Sequence, residues 1–241
     1  MRAPEKALLS ISDIPPVASA AGREATERWP LLFRPMRTYV YIDGFNLYYG
    51  AVRGTPYKWL NLSELCQKLL PKNDIRQIRY FTALITPRPG DPDQITRQQT
   101  FLRALRTLPS VSIHYGQFLS HPARMRLVQP AGSQKFAEVW KTEEKGSDVN
   151  LATHLLCDAY ESKFDVAVLV TNDSDLFTPA DVVVNRLGRR VGIINPHQHQ
   201  SVELRKVATF LKRIRTGALA SSQFPPTLTD GQGTFHKPKT W

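Results

Sequence analysis

The chain has 241 residues, 41% of them hydrophobic and 22% charged, enough for one generous domain with extensions and for a sizeable core. Its 32 Lys and Arg against 21 Asp and Glu leave a net charge of +11, which favours a polyanionic partner, nucleic acid first; a basic surface with no such partner is the plain alternative. Two distant cysteines, Cys66 and Cys157, exclude a disulfide scaffold and a zinc ribbon, no apolar run approaches the ~20 residues of a membrane span, and a cytoplasmic location is expected.

Residues 1–35, with "DIPPVASAAG", read as an irregular N-terminal extension. Glu5 and Asp13 interrupt the pattern a signal peptide needs, and Met36 stands just before the first strand. "YVYIDGFNLYYG" (39–50) opens as a β-branched and aromatic strand and ends in Asp43, Gly44 and Asn46. "NLSELCQKLLP" predicts a helix capped by Ser63 and stopped at Pro71. A strand follows over 75–85, a turn cluster at "PRPGDPD", a helix over 94–108 and a strand over 110–119. Residues 124–144 read as two short strands around an Ala-Gly-Ser turn. In the second half come a helix over 147–161, a buried strand over 165–173 and a helix over 174–188 closing on Gly188. A last strand (189–196) and a basic helix (202–215) complete the domain, and the Pro- and Gly-rich residues 216–241 read as a tail. Strands alternating with helices predict an α/β domain around a mostly parallel sheet, with its active groups beyond the carboxyl ends of the strands.

Four acids fall in that zone. Asp43 ends the first strand, Asp173 and Asp175 follow the strand "VAVLVT", and Asp148 opens the helix leading into that strand. Asp148 and Asp175 also stand where helix caps stand, so any one of these acids has a structural reading beside the functional one. Gathered together they repel one another unless a cation neutralises them, and an all-carboxylate set favours Mg²⁺ or Mn²⁺. Such an ion polarises a phosphoryl oxygen and lowers the pKa of an attacking water, which with a basic surface suits phosphodiester hydrolysis. No P-loop, dinucleotide fingerprint or G-x-S-x-G elbow is present, and Phe45 stands where an aspartyl phosphatase would want a second Asp.

"YIDGFNLYY", "KGSDVNLATHLL" and "DVAVLVTNDSDLFTPADVVVNRLGRRVGIINP" together resemble the NYN domain in its LabA-like branch, a relative of the PIN nucleases, over about Thr38 to Pro196. The resemblance implies a PIN-like three-layer sandwich around a central, mostly parallel five-stranded sheet in the order 3-2-1-4-5. It implies a divalent-metal-dependent ribonuclease with Asp43, Asp148, Asp173 and Asp175 as metal ligands, in a nuclease domain spanning 36–215. His154 stands where some relatives have Asp; a packed histidine without function is the other reading.

Around these acids, Asn46 would orient a water or phosphate, or cap the helix it precedes. Lys145 would meet a phosphate or stay a solvated loop lysine; Thr171 and Asn172 would hydrogen-bond near the pocket. Arg97 belongs to a basic stripe with Arg76, Arg79, Arg103, Arg106 and the basic residues of 189–215, expected to contact RNA phosphates as a group. Tyr48, Tyr49 and Trp59 either stack on bases or, for the two tyrosines, lie in the core. The expected function is a metal-dependent endoribonuclease acting on single-stranded or structured RNA, with a homodimer open and no membrane partner. The alternatives are an RNA-binding or regulatory module on a weak nuclease fold, and a metal-dependent phosphomonoesterase.

Overall fold

The computed structural model describes residues 35–85, 90–132 and 134–241. The N-terminal extension expected over 1–35 and part of the "PRPGDPD" turn lie outside the described residues, Pro35 and Gly90–Asp93 excepted.

Among the described residues seven strands form one sheet in the order β4-β3-β2-β1-β5-β6-β7: β1 (Arg37–Asp43), β2 (Asp74–Ala83), β3 (Val111–Ala131), β4 (Gln134–Lys145), β5 (Val166–Val170), β6 (Arg190–Asn195) and β7 (Phe210–Arg213). All neighbours are parallel except β3 and β4. The five central strands keep the expected order, with β1 beside β5, but the sheet is larger than the five strands expected. One extra strand comes from a long hairpin: β3 runs through Pro122 to Ala131, with a register shift after Arg126, and β4 returns along it from Gln134, so the predicted short strands join into one ribbon. The other comes from "FLKR", predicted as helix. Helix α6 (Val202–Val207) stops short of it, and the backbone of Phe210–Arg213 pairs with the open edge of β6.

The strands alternate between two cores, as period-2 geometry requires. Val40 and Ile42 of β1, with Val166, Val168 and Val170 of β5, face α2 (Leu62–Leu69) and α3 (Gln94–Arg106) through Leu62, Leu65, Leu102 and Leu105. Tyr41, Ala167 and Leu169 face α4 (Ser147–Tyr160), α5 (Phe177–Asp181) with the wide turn Val182–Arg186 that continues it, and α6 (Val202–Val207) through Leu151, Leu155, Ala180, Val183 and Leu204. A short helix α1 (Gly44–Leu47) follows β1 and continues as one wide turn over Tyr48–Val52. Asn61, not Ser63, caps α2: its side chain accepts from the Glu64 amide at 3.1 Å. Both residues are good caps, and only the backbone at Asn61 has the extended conformation a cap needs.

Residues 216–241 carry α7 (Thr216–Ala220) and a hairpin of β8 (Thr227–Asp230) and β9 (Gly233–His236). These pack on Trp59, which is fully buried against Phe224, Phe235 and Trp241 and donates its indole N–H to the Pro225 carbonyl at 2.8 Å. Arg103 of α3 holds Asp230 through two hydrogen bonds of 2.7 and 2.6 Å and lies over the Phe235 ring.

Candidate active site

A doubly wound sheet splits its loops to opposite faces at the strand where the order reverses, and that crevice is where ligands bind. Here the reversal falls between β1 and β5, whose last residues are paired side by side, Ile42 with Val170. Asp43 therefore leaves β1 next to Thr171, the first residue beyond β5. The buried Asp43 carboxylate accepts from the Asn46 amide at 2.9 Å and from the Thr171 hydroxyl at 3.2 Å. Thr171 Oγ1 in turn accepts from the Asp173 amide at 3.1 Å, and Asn46 Oδ1 accepts from the Asn172 amide at 2.9 Å. The two loops are stitched into one rigid floor. Asn172 continues the stitching to the loop after β6, donating to the His199 carbonyl at 3.0 Å and accepting from the Ser201 amide at 2.7 Å.

Two glycines let the acids approach. A Cβ on Gly44 would meet the Phe81 carbonyl and the Tyr80 ring at 2.7 Å, so only glycine lets α1 start this close to β2. Gly146 turns the chain from β4 into α4 with φ +93°, a left-handed conformation other residues adopt with strain. Asp148 is then in the first turn of α4 without capping it, unlike its expected structural role. Asp173 does cap: its Oδ1 accepts from the Asp175 amide at 3.0 Å.

Asp43, Asp148 and Asp173 line one cavity of about 400 Å³ together with Asn46, Glu144 and His197. Asp175 is exposed beside it and does not line it. Burial, and then the carboxylates of Asp43, Asp173, Glu144 and Asp175, push the Asp148 carboxyl up to about 6. Burial also raises Asp43, against the hydrogen bonds of Asn46 and Thr171. Among the described residues no three His, Cys, Asp or Glu side chains converge closely enough to grip an ion. The chemistry of the acids still fits a hard divalent cation: carboxylate oxygens without thiolate, where burial first and mutual repulsion second hold a proton on Asp148 well above the usual carboxylate range.

The other expected residues are placed elsewhere or work as scaffold. Thr171 and Asn172 hold the loops. Lys145 is exposed and pairs with Glu143 at 3.2 Å, and Arg97 pairs with Asp91 and lines a second cavity. Arg79 and Arg103 are committed to Asp158 and Asp230, so the basic stripe is thinner than the sequence count suggests. His154 packs against His114, ring centroids 4.1 Å apart, and against Phe81. Tyr48 and Tyr49 are exposed, 37% and 48%, rather than core, while Trp59 is buried and closed to bases. Sequence reasoning missed Glu144 and His197. Glu144 is the second-last residue of β4, just before "KGSD", and its carboxylate accepts from the Ser147 amide at 3.1 Å; His197 follows β6 in "NPHQHQ", beyond a carboxyl strand end.

One stability consequence follows from the crowded carboxylates. A folded-state pKa raised from 3.8 to about 6 means the native state binds the Asp148 proton more tightly, so this group's contribution falls as pH rises through that window and stays lost above it. Asp148→Asn is expected to stabilise the metal-free protein at pH 7 by about 1 kcal/mol, the half-exposed carboxyl being screened by solvent, or ~2–4 °C in Tm. The advantage should vanish at pH 4. Thermal melts at both pH values in chelator check it, and a variant that melts lower at pH 7 contradicts it.

The fold and the acid-lined crevice define a class. Residues 37–214 match the NYN domain, and the chain belongs to that family, which has a PIN-like nuclease fold and whose nucleases generally use divalent metals. Among curated proteins it is similar to the 6-hydroxy-3-succinoylpyridine 3-monooxygenase HspA of Pseudomonas putida, 34% identical over 239 residues, covering 86% of this chain and 76% of the relative. Among solved structures it is similar to a protein of unknown function from Vibrio parahaemolyticus at TM-score 0.50 and 16% identity, covering 76% of this chain and 94% of that one, a likeness of fold alone. Among the described residues no helix is long and apolar enough to cross a membrane.

Proposed function

We propose that the protein is a divalent-metal-dependent endoribonuclease of the LabA-like branch of the NYN family. The observation that carries this reading is that Asp43, Asp148 and Asp173 line one cavity at the reversal of the strand order, in a chain of net charge +11. Asp43, Asp148 and Asp173 would hold Mg²⁺ or Mn²⁺, with Asp175 at the rim. The ion supplies Lewis acidity toward a phosphoryl oxygen and a water of lowered pKa. The chain's own residues set the stage. Thr171 and Asn46 fix the Asp43 carboxylate, Asn172 fixes the loop carrying His199, and the remaining unpaired cations draw the RNA backbone in. Asn46 and Asn172 act on substrate only through this positioning, and Lys145 and Arg97 would reach flanking phosphates by exchanging Glu143 and Asp91 for them.

The test is cleavage of an end-labelled single-stranded RNA with Mn²⁺, with Mg²⁺ and with EDTA. Internal cutting that needs a divalent ion, and that steepens as salt is lowered, is expected; cutting undiminished in EDTA overturns the reading. A second reading takes its chemistry from the Pseudomonas relative: oxygenation of a hydroxypyridine. Two observations favour it, the identity of 34% over most of the chain and an aromatic-walled cavity next to the acids. Loss of hydroxypyridine absorbance that requires O₂ and a two-electron donor, without RNA cleavage, would select it.

A further inference from the structure

Next to the acidic cavity is a second one of about 490 Å³, within the range of small-molecule sites. Its walls come from separate parts of the chain: Tyr48 after α1, Tyr80 on β2, Phe101 on α3 and Trp241 at the C-terminal end. Phe101 and Trp241 are in contact at 5.9 Å between centroids, and Tyr80 and Phe101 at 6.3 Å. Such aromatic walls favour a flat, polarisable guest over an aliphatic one.

Gln94, the first residue of α3, lines both cavities, as do Phe45 and Tyr49. Its side-chain oxygen is buried and has no hydrogen-bond partner among the described residues. A buried acceptor left unsatisfied is costly, and native structures leave few of them. Its neighbour one turn on, Gln98, is fully used by comparison, donating to the Ala83 carbonyl at 2.8 Å and accepting from the Ile85 amide at 3.0 Å. Gln94 thus brings an unpaired amide oxygen to the junction between an aromatic slot and an acid-lined pocket, turned out of solvent, where a rotation of its side chain would offer it to a guest's donor. Lys58 stands on the same wall and suits an anionic group attached to the guest, while Arg97 there is paired with Asp91.

We propose that this second cavity binds a planar heteroaromatic ring that presents an N–H or O–H donor to Gln94. Resting on the ribonuclease reading above, the ring is the base of the nucleotide whose phosphate lies at the acids, so the cavity selects which base flanks the cut. A free hydroxypyridine carboxylate offers the same lactam edge and an anion, and is the other source of this chemistry. Base selection here would be by stacking plus one polar contact, giving a preference rather than strict specificity.

The experiment is a calorimetric titration of the full chain, in chelator, with the four nucleoside 5′-monophosphates, with ribose 5-phosphate and with 6-hydroxypyridine-3-carboxylate. At least one ring-bearing ligand should bind tenfold or more tightly than ribose 5-phosphate. Gln94→Leu should weaken that ligand about fivefold to twentyfold and leave ribose 5-phosphate unchanged. Trp241→Phe should keep the binding and remove the fluorescence quench it causes. Equal binding of ribose 5-phosphate, or an unaffected Gln94→Leu protein, overturns the proposal. Tight binding of the hydroxypyridine with none of the nucleotides supports the ring site and overturns its assignment to a base. RNA cleavage is scored on the same preparations. Cutting without ring selectivity sinks the cavity and leaves the nuclease; ring binding without cutting does the reverse.

Discussion

Asp173→Asn should fold, bind RNA as the parent does, and lose metal-dependent cleavage by roughly a hundredfold to a thousandfold, the scale on which removal of one charge-stabilising group slows a reaction. The choice of residue matters. Asp173 caps the turn Ser174–Leu176 with one carboxylate oxygen, and asparagine keeps an oxygen in that place and is as good a cap. Charge is removed while the local fold is retained. Asp43 is a poorer probe, because it accepts from both the Asn46 amide and the Thr171 hydroxyl, and an asparagine there turns a donor toward one of them. End-labelled RNA cut in Mn²⁺ reads the catalytic effect, and filter binding at the same salt reads the retained affinity. A variant that cuts at the parental rate removes Asp173 from the reaction. A variant that loses binding together with cutting assigns it to the RNA surface instead.

The placement of Asp43 and Asp173 was legible because two signals coincide: continuous β-branched strands, and an acid where each strand ends. The strand order implied by the NYN resemblance sets them side by side, and the sheet has it. What the sequence concealed was set by tertiary contact. "VATFLKRIR" has apolar residues at helical spacing, yet Phe210 and Leu211 pair with β6, because an open parallel edge satisfies their backbone groups better than a short helix would. The Pro- and Gly-rich end reads as a tail because its hydrophobic residues are sparse. Trp59, distant in sequence, collects Phe224, Phe235 and Trp241 into one aromatic cluster, and no local pattern announces that. Glu144 and His197 carry no periodicity; only the rule that sites gather at carboxyl strand ends points to them. The aromatic cavity was invisible for the same reason, being built from four elements with no shared motif.

Asp158→Ala should destabilise the domain by about 3–5 kcal/mol, the largest stability loss expected from a single polar residue here. Asp158 is on α4, buried, and its carboxylate takes the Arg79 guanidinium from β2 at 2.7 and 2.9 Å and the Tyr41 hydroxyl from β1 at 2.8 Å, with Lys163 at the edge at 3.3 Å. Truncation leaves Arg79 and Tyr41 facing the Asp158 void without their carboxylate, Arg79 keeping a 3.4 Å contact to His114 Nε2, and a largely buried cation without its counter-charge is the costly half of a broken pair. These bonds hold the Asp158 carboxyl below the usual carboxylate range in spite of its burial. Its contribution is therefore present above the unfolded pKa and lost as pH falls through the folded one, opposite in sign to that of Asp148. Urea unfolding at pH 7 and pH 3 reads both: the gap between parent and variant should be wide at the first and narrow at the second. Replacing Arg79 by Met in the same chain should return part of the loss, since it removes the stranded charge. The consequence reaches the site. α4 carries Asp148 at one end and Asp158 at the other, so the ion pair that anchors this helix to β1 and β2 is also what presents Asp148 to Asp43. An equal gap at both pH values would mean that Asp158 acts by filling space rather than by charge, and the anchoring of α4 would then rest on its apolar face alone.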